Sequence, residues 1–148
     1  MLICFFDSQG IVHKEFVPPG QTLNQTSYRE VLERLRKRVA RVQTGIARTW
    51  MLHHDNAPCH TAVSINEFLA EKSIPVVPQP PLCWISVPVT YFHSSGSKTT
   101  LKGRKFGTLA NIQKSVTGEL KDIQAEAFHH CYEQWKQQLH HCVAAQGN

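Results

Sequence analysis

Hydrophobic and polar positions near the start of the chain predict a β-hairpin. Leu2–Phe6 is an apolar run, and the residues that follow it, Asp7–Gly10, have aspartate first and glycine last, as tight turns do. Ile11–Val17 then alternates loosely between apolar and polar positions, which is typical of a strand with one buried face. The segment 18–20, Pro-Pro-Gly, stops this second strand.

Apolar residues spaced three and four apart predict a helix that runs to about Val42. Asn24 or Thr26 can cap its N-terminus, because both side chains can accept a backbone N–H. The predicted buried face consists of Tyr28, Val31, Leu32, Leu35, Val39 and Val42. Basic residues crowd the C-terminal part, where cations complement the helix dipole. They could form a solvated face or contact phosphates.

The remaining pattern alternates strands and helices. Arg48–His54 is a second strand region, a helix runs from about Thr61 to Lys72, and Ile74–Val77 is a short strand that Pro75 favours at a sheet edge. The inward positions of this helix are Val63, Ile65, Phe68 and Leu69. Residues 82–100 have no clear period and predict a loop. The alternation indicates an α/β fold.

Two C-terminal helices complete the prediction. The first is marked by Leu109, Ile112, Val116 and Leu120, and the second by Phe128, Cys131, Trp135, Leu139 and Cys142. The second helix also carries histidine pairs beside its cysteines, at 129–131 and 140–142, so a zinc site is an alternative. Because standard Cys-x-x-Cys spacing is absent, a core stripe flanked by solvated histidines explains the pattern better.

Composition narrows the class of protein. The 148 residues suffice for a single domain that buries roughly 70% of its unfolded surface. The net charge of +5 suits a polyanion such as nucleic acid, although an ordinary basic protein has the same charge. No apolar run approaches the roughly 20 residues that span a bilayer, so no membrane partner is expected. Five irregularly spaced cysteines favour a reducing compartment over a disulfide framework.

The most informative stretch is the octet His53–His60, which reads His-His-Asp-Asn-Ala-Pro-Cys-His. It follows the apolar run Thr49–Leu52 and precedes a predicted helix. Such strand-to-helix turns are where α/β folds place metal-binding and catalytic groups. Asp55 could instead form an Asx-turn or a helix N-cap near Ala57. A cysteine hydrolase based on Cys59 is a weak alternative, because sequence neighbours rarely form a catalytic dyad.

The octet resembles the second catalytic-aspartate motif of mariner-type transposases, His-Asp-Asn-Ala-Pro-x-His. Further segments match that family, namely Phe5–Gly10, Pro19–Thr22, Val76–Pro81, Trp135-Lys136 and Cys142–Ala144. The resemblance implies a single RNase H-like catalytic domain over residues 1–148 that cuts and joins DNA. Members of the family use three carboxylates to hold two Mg²⁺ or Mn²⁺ ions, which prefer hard oxygen ligands. It also implies a nuclear location, DNA as partner, a homodimer and no small-molecule cofactor.

The resemblance implies roles for particular residues. Asp55 is the expected catalytic and metal-binding carboxylate, and Asn56 and His60 are expected to shape its surroundings. The basic residues expected to contact DNA phosphates are Arg34, Lys37, Arg38, Arg41, Lys102, Arg104 and Lys105.

The chain also departs from the family pattern. The family places a central strand with its first catalytic aspartate ahead of the segment that begins at Met1, so we expect an incomplete and marginally stable RNase H-like fold.

The third catalytic aspartate of the family aligns with Thr90, which is not acidic. Residues 82–100 keep the family's length with unrelated residues, which suggests two compensating frameshifts; the letters that encode Ser86–Val89 can read Leu-Ser-Pro in another frame. We therefore expect a degenerate, inactive transposase domain that no longer holds metal tightly. The alternative is a non-enzymatic module that binds nucleic acid or protein.

Overall fold

A computed structural model of the chain describes residues 1–78 and 103–145. The described elements are β1 (Leu2–Asp7), β2 (Gly10–Phe16), α1 (Gln25–Val42), a 3₁₀ turn (Thr44–Ile46), α2 (Pro58–Thr61), α3 (Val63–Glu71), α4 (Leu109–Asp122) and α5 (Ala125–Ala144). This mixture of strands and helices agrees with the predicted α/β class. The predicted loop at 82–100 lies outside the described residues.

The predicted β-hairpin is confirmed, and β1 and β2 form a two-stranded sheet. The Asp7 carboxylate closes its turn by accepting the N–H groups of Gln9 at 2.8 Å and Gly10 at 3.1 Å. Gly10 has a φ of 148°, which a residue with a Cβ rarely adopts. The turn residues therefore specify the hairpin locally.

Helix α1 is confirmed with the predicted cap. Asn24 is the N-cap, and its side-chain oxygen accepts the N–H of Ser27 at 2.9 Å. Thr26 lies within the helix, so it is not the cap. The predicted buried face is confirmed for Tyr28, Val31, Leu32, Leu35 and Val39. Val42 was predicted to be buried but is 53% exposed, because the last turn of the helix extends past the core residues.

The predicted strands at 48–54 and 74–77 are wrong as regular strands. Within the described residues they are reduced to one parallel bridge between Leu52 and Val76. The Leu52 N–H donates to the Pro75 carbonyl and the Val77 N–H donates to the Leu52 carbonyl, each at 2.8 Å. In a parallel ladder the next donor would be the N–H of residue 75, which proline lacks. The Trp50 N–H donates instead to the Ile46 carbonyl at 3.1 Å, so the ladder cannot extend in that direction.

The predicted helix at 61–72 is two helices, α2 and α3. It starts earlier than expected, with Pro58 in the first turn, where its missing N–H costs nothing. Ala62 breaks the run because its ψ of 145° is extended. Val63, predicted to point inward, is 72% exposed because it only begins α3 after this break. The other three predicted inward residues, Ile65, Phe68 and Leu69, are buried.

The described residues form two compact units. The first contains residues 1–5 and the chain from Ile11 through α3. Its core consists of Tyr28, Leu32, Leu35, Val39, Leu52, Ile65, Phe68, Leu69 and Ile74. Phe5 and Val12 of the hairpin pack against this core. This unit carries the octet.

The second unit contains residues 6–10 and the two predicted C-terminal helices, α4 and α5, which are confirmed. Thr108 caps α4 by accepting the N–H of Asn111 at 3.3 Å. The apolar stripe of α5 is buried only at Phe128 and Cys131, whereas Leu139 is 38% exposed. None of the described helices combines the length and apolar character that a bilayer span would need.

Candidate functional site

The octet begins where the Leu52 bridge ends and leads directly into α2. The carboxylate oxygen Oδ1 of Asp55 accepts the N–H of Ala57 at 3.1 Å. This is the Asx-turn geometry that short polar side chains adopt before a helix. Ala57 is the N-cap of α2 and has no side-chain oxygen, so the α2 terminus lacks a capping bond of its own. Asp55 therefore orders the turn that opens the helix.

A stack of three rings joins the octet to α1. The Tyr28 ring, 1% exposed, lies 4.1 Å from the His60 ring between centroids, at an interplanar angle of 29°. The His60 ring in turn stacks on His54 at 5.2 Å, with an angle of 10°. The Tyr28 hydroxyl lies 2.9 Å from Nδ1 of His54. A buried tyrosine hydroxyl needs such a partner, so the stack also satisfies a polar group of α1.

His60 links this stack to Asp55. Its Nδ1 lies 2.6 Å from Oδ1 of Asp55, and the side chains are 16% and 57% exposed, respectively. The approach is off the hydrogen-bond direction, because Nδ1 of His60 makes no hydrogen bond within the described residues. The same carboxylate oxygen thus contacts both a backbone N–H and a histidine ring. The resemblance predicts that His60 shapes the surroundings of Asp55, and in the structure the His60 ring contacts that carboxylate.

Burial sets the charge state of the stack. Desolvation lowers the pKa of His54 to about 4, and the nearby His60 and His53 rings add to this while Asp55 opposes it. Burial, with smaller effects of Cys59 and Asp55, raises the pKa of the Tyr28 hydroxyl above its usual value. Both rings are therefore uncharged at neutral pH, and the hydrogen bond between the hydroxyl and the imidazole joins two neutral groups.

The described residues around Asp55 do not by themselves supply the two-metal site expected from the family. The described residues contain no group of three or more His, Cys, Asp or Glu side chains placed to hold a metal ion. All eleven Asp and Glu residues of the sequence fall within the described ranges, because 79–102 and 146–148 contain none. A two-metal site needs several carboxylates around two ions roughly 4 Å apart. Asn56 is exposed beside Asp55 and adds no carboxylate.

The histidines and cysteines of α5, considered above as zinc ligands, also form no group of three or more possible metal ligands among the described residues. Cys131 is buried, and burial raises the pKa of its thiol. Cys142 is exposed near the end of the helix. The core-stripe interpretation therefore accounts for Cys131 but not for Cys142.

Most of the candidate phosphate contacts already have partners within the protein. Arg34 donates two hydrogen bonds to the Glu15 carboxylate, at 2.8 and 3.2 Å, and lies 3.9 Å from Glu30. These bonds, together with His13, hold the pKa of Glu15 below its usual value against the opposing effect of burial. The partnership of Glu15 with Arg34 could not be predicted from the sequence, because only folding brings β2 beside α1.

The other basic candidates differ in how strongly they are held. Lys37 lies 3.7 Å from Glu33, Arg104 lies 3.8 Å from Glu119, and Arg38 donates to the Val12 carbonyl at 3.4 Å. Arg41 and Lys105 are exposed and make no ion pair among the described residues. Lys102 lies outside the described residues.

The sequence is similar to known transposases. A family model described as "Transposase (partial DDE domain)" matches residues 1–49. Over 154 aligned residues the chain is 23% identical to the human histone-lysine N-methyltransferase SETMAR and 23% identical to the mariner Mos1 transposase of Drosophila mauritiana. These alignments cover 100% and 99% of this chain but only 22% and 44% of the respective relatives.

The fold is similar to solved structures of the same transposase. The Mos1 catalytic domain with raltegravir and Mg superimposes with a TM-score of 0.89 at 22% identity, covering 99% of this chain and 75% of that chain. The Mos1 paired-end complex with Mn gives a TM-score of 0.90 at 22% identity, covering 99% of this chain and 44% of that one. This likeness confirms the predicted RNase H-like fold. Taken with the sequence matches, it shows that the chain is similar to part of the catalytic domain of the mariner Mos1 transposase.

Proposed function

We propose that this chain is a transposase-derived domain that binds the DNA backbone and does not cut DNA. The main support for this proposal is the lack of a group of metal ligands around Asp55 among the described residues. The solved Mos1 catalytic domain contains Mg or Mn. Among the described residues, Asp55 belongs to no group of three or more His, Cys, Asp or Glu side chains that could hold an ion, and Mg²⁺ held by one carboxylate keeps most of its waters. Removal of members from a coupled catalytic set removes nearly all activity.

One of the carboxylate positions that the family uses lies inside the chain and is not acidic here. The third family carboxylate aligns with Thr90, within a segment that contains no Asp or Glu. We attribute the loss to the pair of frameshifts inferred at 82–100. Sequencing the locus tests this origin, since an alternative reading frame that does not encode the family motif there refutes it.

A strand-nicking assay tests the absence of cleavage. The chain is incubated with supercoiled plasmid in Mg²⁺ or Mn²⁺, alongside Asp55→Ala and the matched control Asp7→Ala, an aspartate of the hairpin turn. We expect all three proteins to give only the background level of nicked circles. Nicking that persists in Asp7→Ala but disappears in Asp55→Ala would show that the site is active and overturn the proposal.

DNA binding is supported by charge and by the relatives. Mos1 structures include a paired-end complex with the left transposon end, so that protein contacts DNA. This chain has a net charge of +5 and exposed cations on α1 and in the segment before α4. Because surface ion pairs contribute only about 0–1 kcal/mol, phosphates can compete for cations held by them. Contacts of this kind give affinity without reading bases.

Arg41 and Arg34 provide a matched pair for testing the DNA contact. Both are arginines of α1, but Arg34 is held by Glu15 whereas Arg41 has no ion pair in the described part of the chain. We expect fluorescence anisotropy with a short duplex to show binding that weakens steeply with salt. Arg41→Ala should reduce the slope of log K against log salt by about 0.9, and Arg34→Ala should change it less. No binding at low salt refutes the proposal.

A nuclear location and a homodimer belong to the same proposal, because mariner-family proteins act on DNA and Mos1 forms paired-end complexes. Imaging of a fluorescent fusion of the chain tests the location, and exclusion from the nucleus contradicts it. Light scattering after size-exclusion chromatography tests the dimer. A single species with the monomer mass at all concentrations contradicts that part.

A further inference from the structure

We infer that Asp55 is a structural residue in this chain: with Tyr28, His54 and His60 it forms a clamp that fastens the octet to α1 and orders the start of α2. The inference goes beyond the loss of cleavage, because it assigns a positive role to the octet. It needs no bound ion and no partner.

One oxygen of the Asp55 carboxylate is already in contact with other groups of the protein. Oδ1 of Asp55 is contacted by the Ala57 N–H at 3.1 Å and by Nδ1 of His60 at 2.6 Å. An ion bound at this oxygen would have to displace both contacts. A metal site that is built for its ion instead presents free oxygens toward a shared centre. This oxygen is therefore in contact with the Ala57 backbone and the His60 ring.

Helix α2 is too short to be stable without contacts to other residues. It has four residues, Pro58–Thr61, and helices this short have no cooperative stability of their own. Neither Ala57 before α2 nor Ala62 before α3 supplies a side-chain cap. The turn must therefore be ordered from outside, and the Asx-turn of Asp55 is the interaction that does this at its N-terminal end.

Tyr28 of α1 connects the octet to the core of the first unit. Tyr28 is a core residue, 1% exposed, and it contacts the octet twice. Its hydroxyl lies 2.9 Å from Nδ1 of His54, and its ring stacks on His60 at 4.1 Å. Aromatic pairs at such distances contribute about 0.5–1.5 kcal/mol beyond the area they bury. The octet is thus packed against the core of the first unit through Tyr28, which precedes His54 by 26 residues in the sequence.

Hydrogen exchange of the peptide that covers α2 and α3 tests the clamp in the full chain. Asp55→Asn retains an oxygen that can accept the Ala57 N–H, whereas Asp55→Ala removes it. We expect exchange in Asp55→Asn within about twofold of the unsubstituted chain and acceleration of about fivefold or more in Asp55→Ala, as for loss of a helix cap. Tyr28→Phe, which removes only the hydroxyl, should accelerate exchange by a similar factor.

Added Mn²⁺ separates the clamp from a metal site. At about 5 mM Mn²⁺, exchange in the octet of the unsubstituted chain should be unchanged, and electron paramagnetic resonance should show no binding that Asp55→Asn abolishes. Metal-dependent protection that is lost in Asp55→Asn overturns the inference.

The variants give a second refuting outcome without metal. Exchange in Asp55→Ala equal to that of the unsubstituted chain also overturns the inference. If Asp55→Ala fails to fold, Tyr28→Phe still decides, because exchange in that variant equal to exchange in the unsubstituted chain overturns the clamp. These readouts are independent of DNA nicking, so failure of the clamp and failure of the proposed function are distinguishable.

Discussion

Acidification between pH 6.5 and 4 should weaken the first unit through His54. Burial against Tyr28 and His60 lowers the pKa of His54 from 6.5 to about 4. Above pH 6.5 the ring is neutral in both the folded and the unfolded chain, so the native state has its full stability there. As the pH falls below 6.5, the unfolded chain takes up a proton that the folded chain does not, and stability declines until the pH reaches the folded pKa.

The magnitude follows from the pKa difference. The interval from 6.5 to about 4, at 1.36 kcal/mol for each pH unit, gives an upper limit of about 3 kcal/mol. The His54 ring is only partly buried, so solvent screening reduces the expected loss to about 1–2 kcal/mol. The carboxylates of Glu15 and Glu33, whose pKa values lie below 4.5 because of ion pairs with Arg34 and Arg36, contribute mainly below this window.

Urea unfolding at several pH values, followed by the helical circular dichroism signal, measures this loss. His54→Gln is the matched variant, because its amide can still accept from the Tyr28 hydroxyl but does not titrate. We expect the free energy of unfolding of the unsubstituted chain to fall by about 1–2 kcal/mol between pH 7 and pH 4.5, and that of His54→Gln to fall by less. Parallel curves for the two proteins would refute the assignment of the effect to His54.

Two further predictions concern the free energy of unfolding from the same urea measurements. Ile65→Ala should cost about 2–5 kcal/mol because its side chain is fully buried, whereas the control Val63→Ala, at a 72% exposed position, should cost under about 1 kcal/mol; equal losses would contradict the assigned core. Asn24→Ala should cost about 1 kcal/mol through loss of the N-cap bond to Ser27, and Thr26→Ala should cost less because Thr26 is not the cap; the reverse order would contradict the assigned helix start.

Asp55 is the residue at which the family motif and the local geometry differ. The motif implies a metal ligand, but the carboxylate is engaged by its own turn and by His60. An aspartate can be retained for such contacts alone, because its removal would leave the start of α2 without its ordering interaction. A matching motif therefore identifies ancestry more securely than it identifies present chemistry.

The amino-acid sequence by itself determined the features that depend on neighbours along the chain. The hairpin turn at Asp7, the cap of α1 at Asn24 and the buried face of that helix were all predictable, because turn, cap and helical periodicity are local properties. The octet, through its resemblance to a transposase motif, was also sufficient to indicate the RNase H-like fold. Local patterns were therefore reliable where the interacting groups lie within a few residues.

Only the tertiary structure decided which side chains meet across long separations. The Tyr28 contact with His54 and the pairing of Glu15 with Arg34 join residues 26 and 19 positions apart, which no periodicity encodes. The predicted strand at 48–54 failed for a related reason, since a strand needs donors on its neighbour and Pro75 supplies none. Periodicity reports which face a residue prefers to bury, whereas hydrogen bonds and ring stacks depend on what the fold places opposite it.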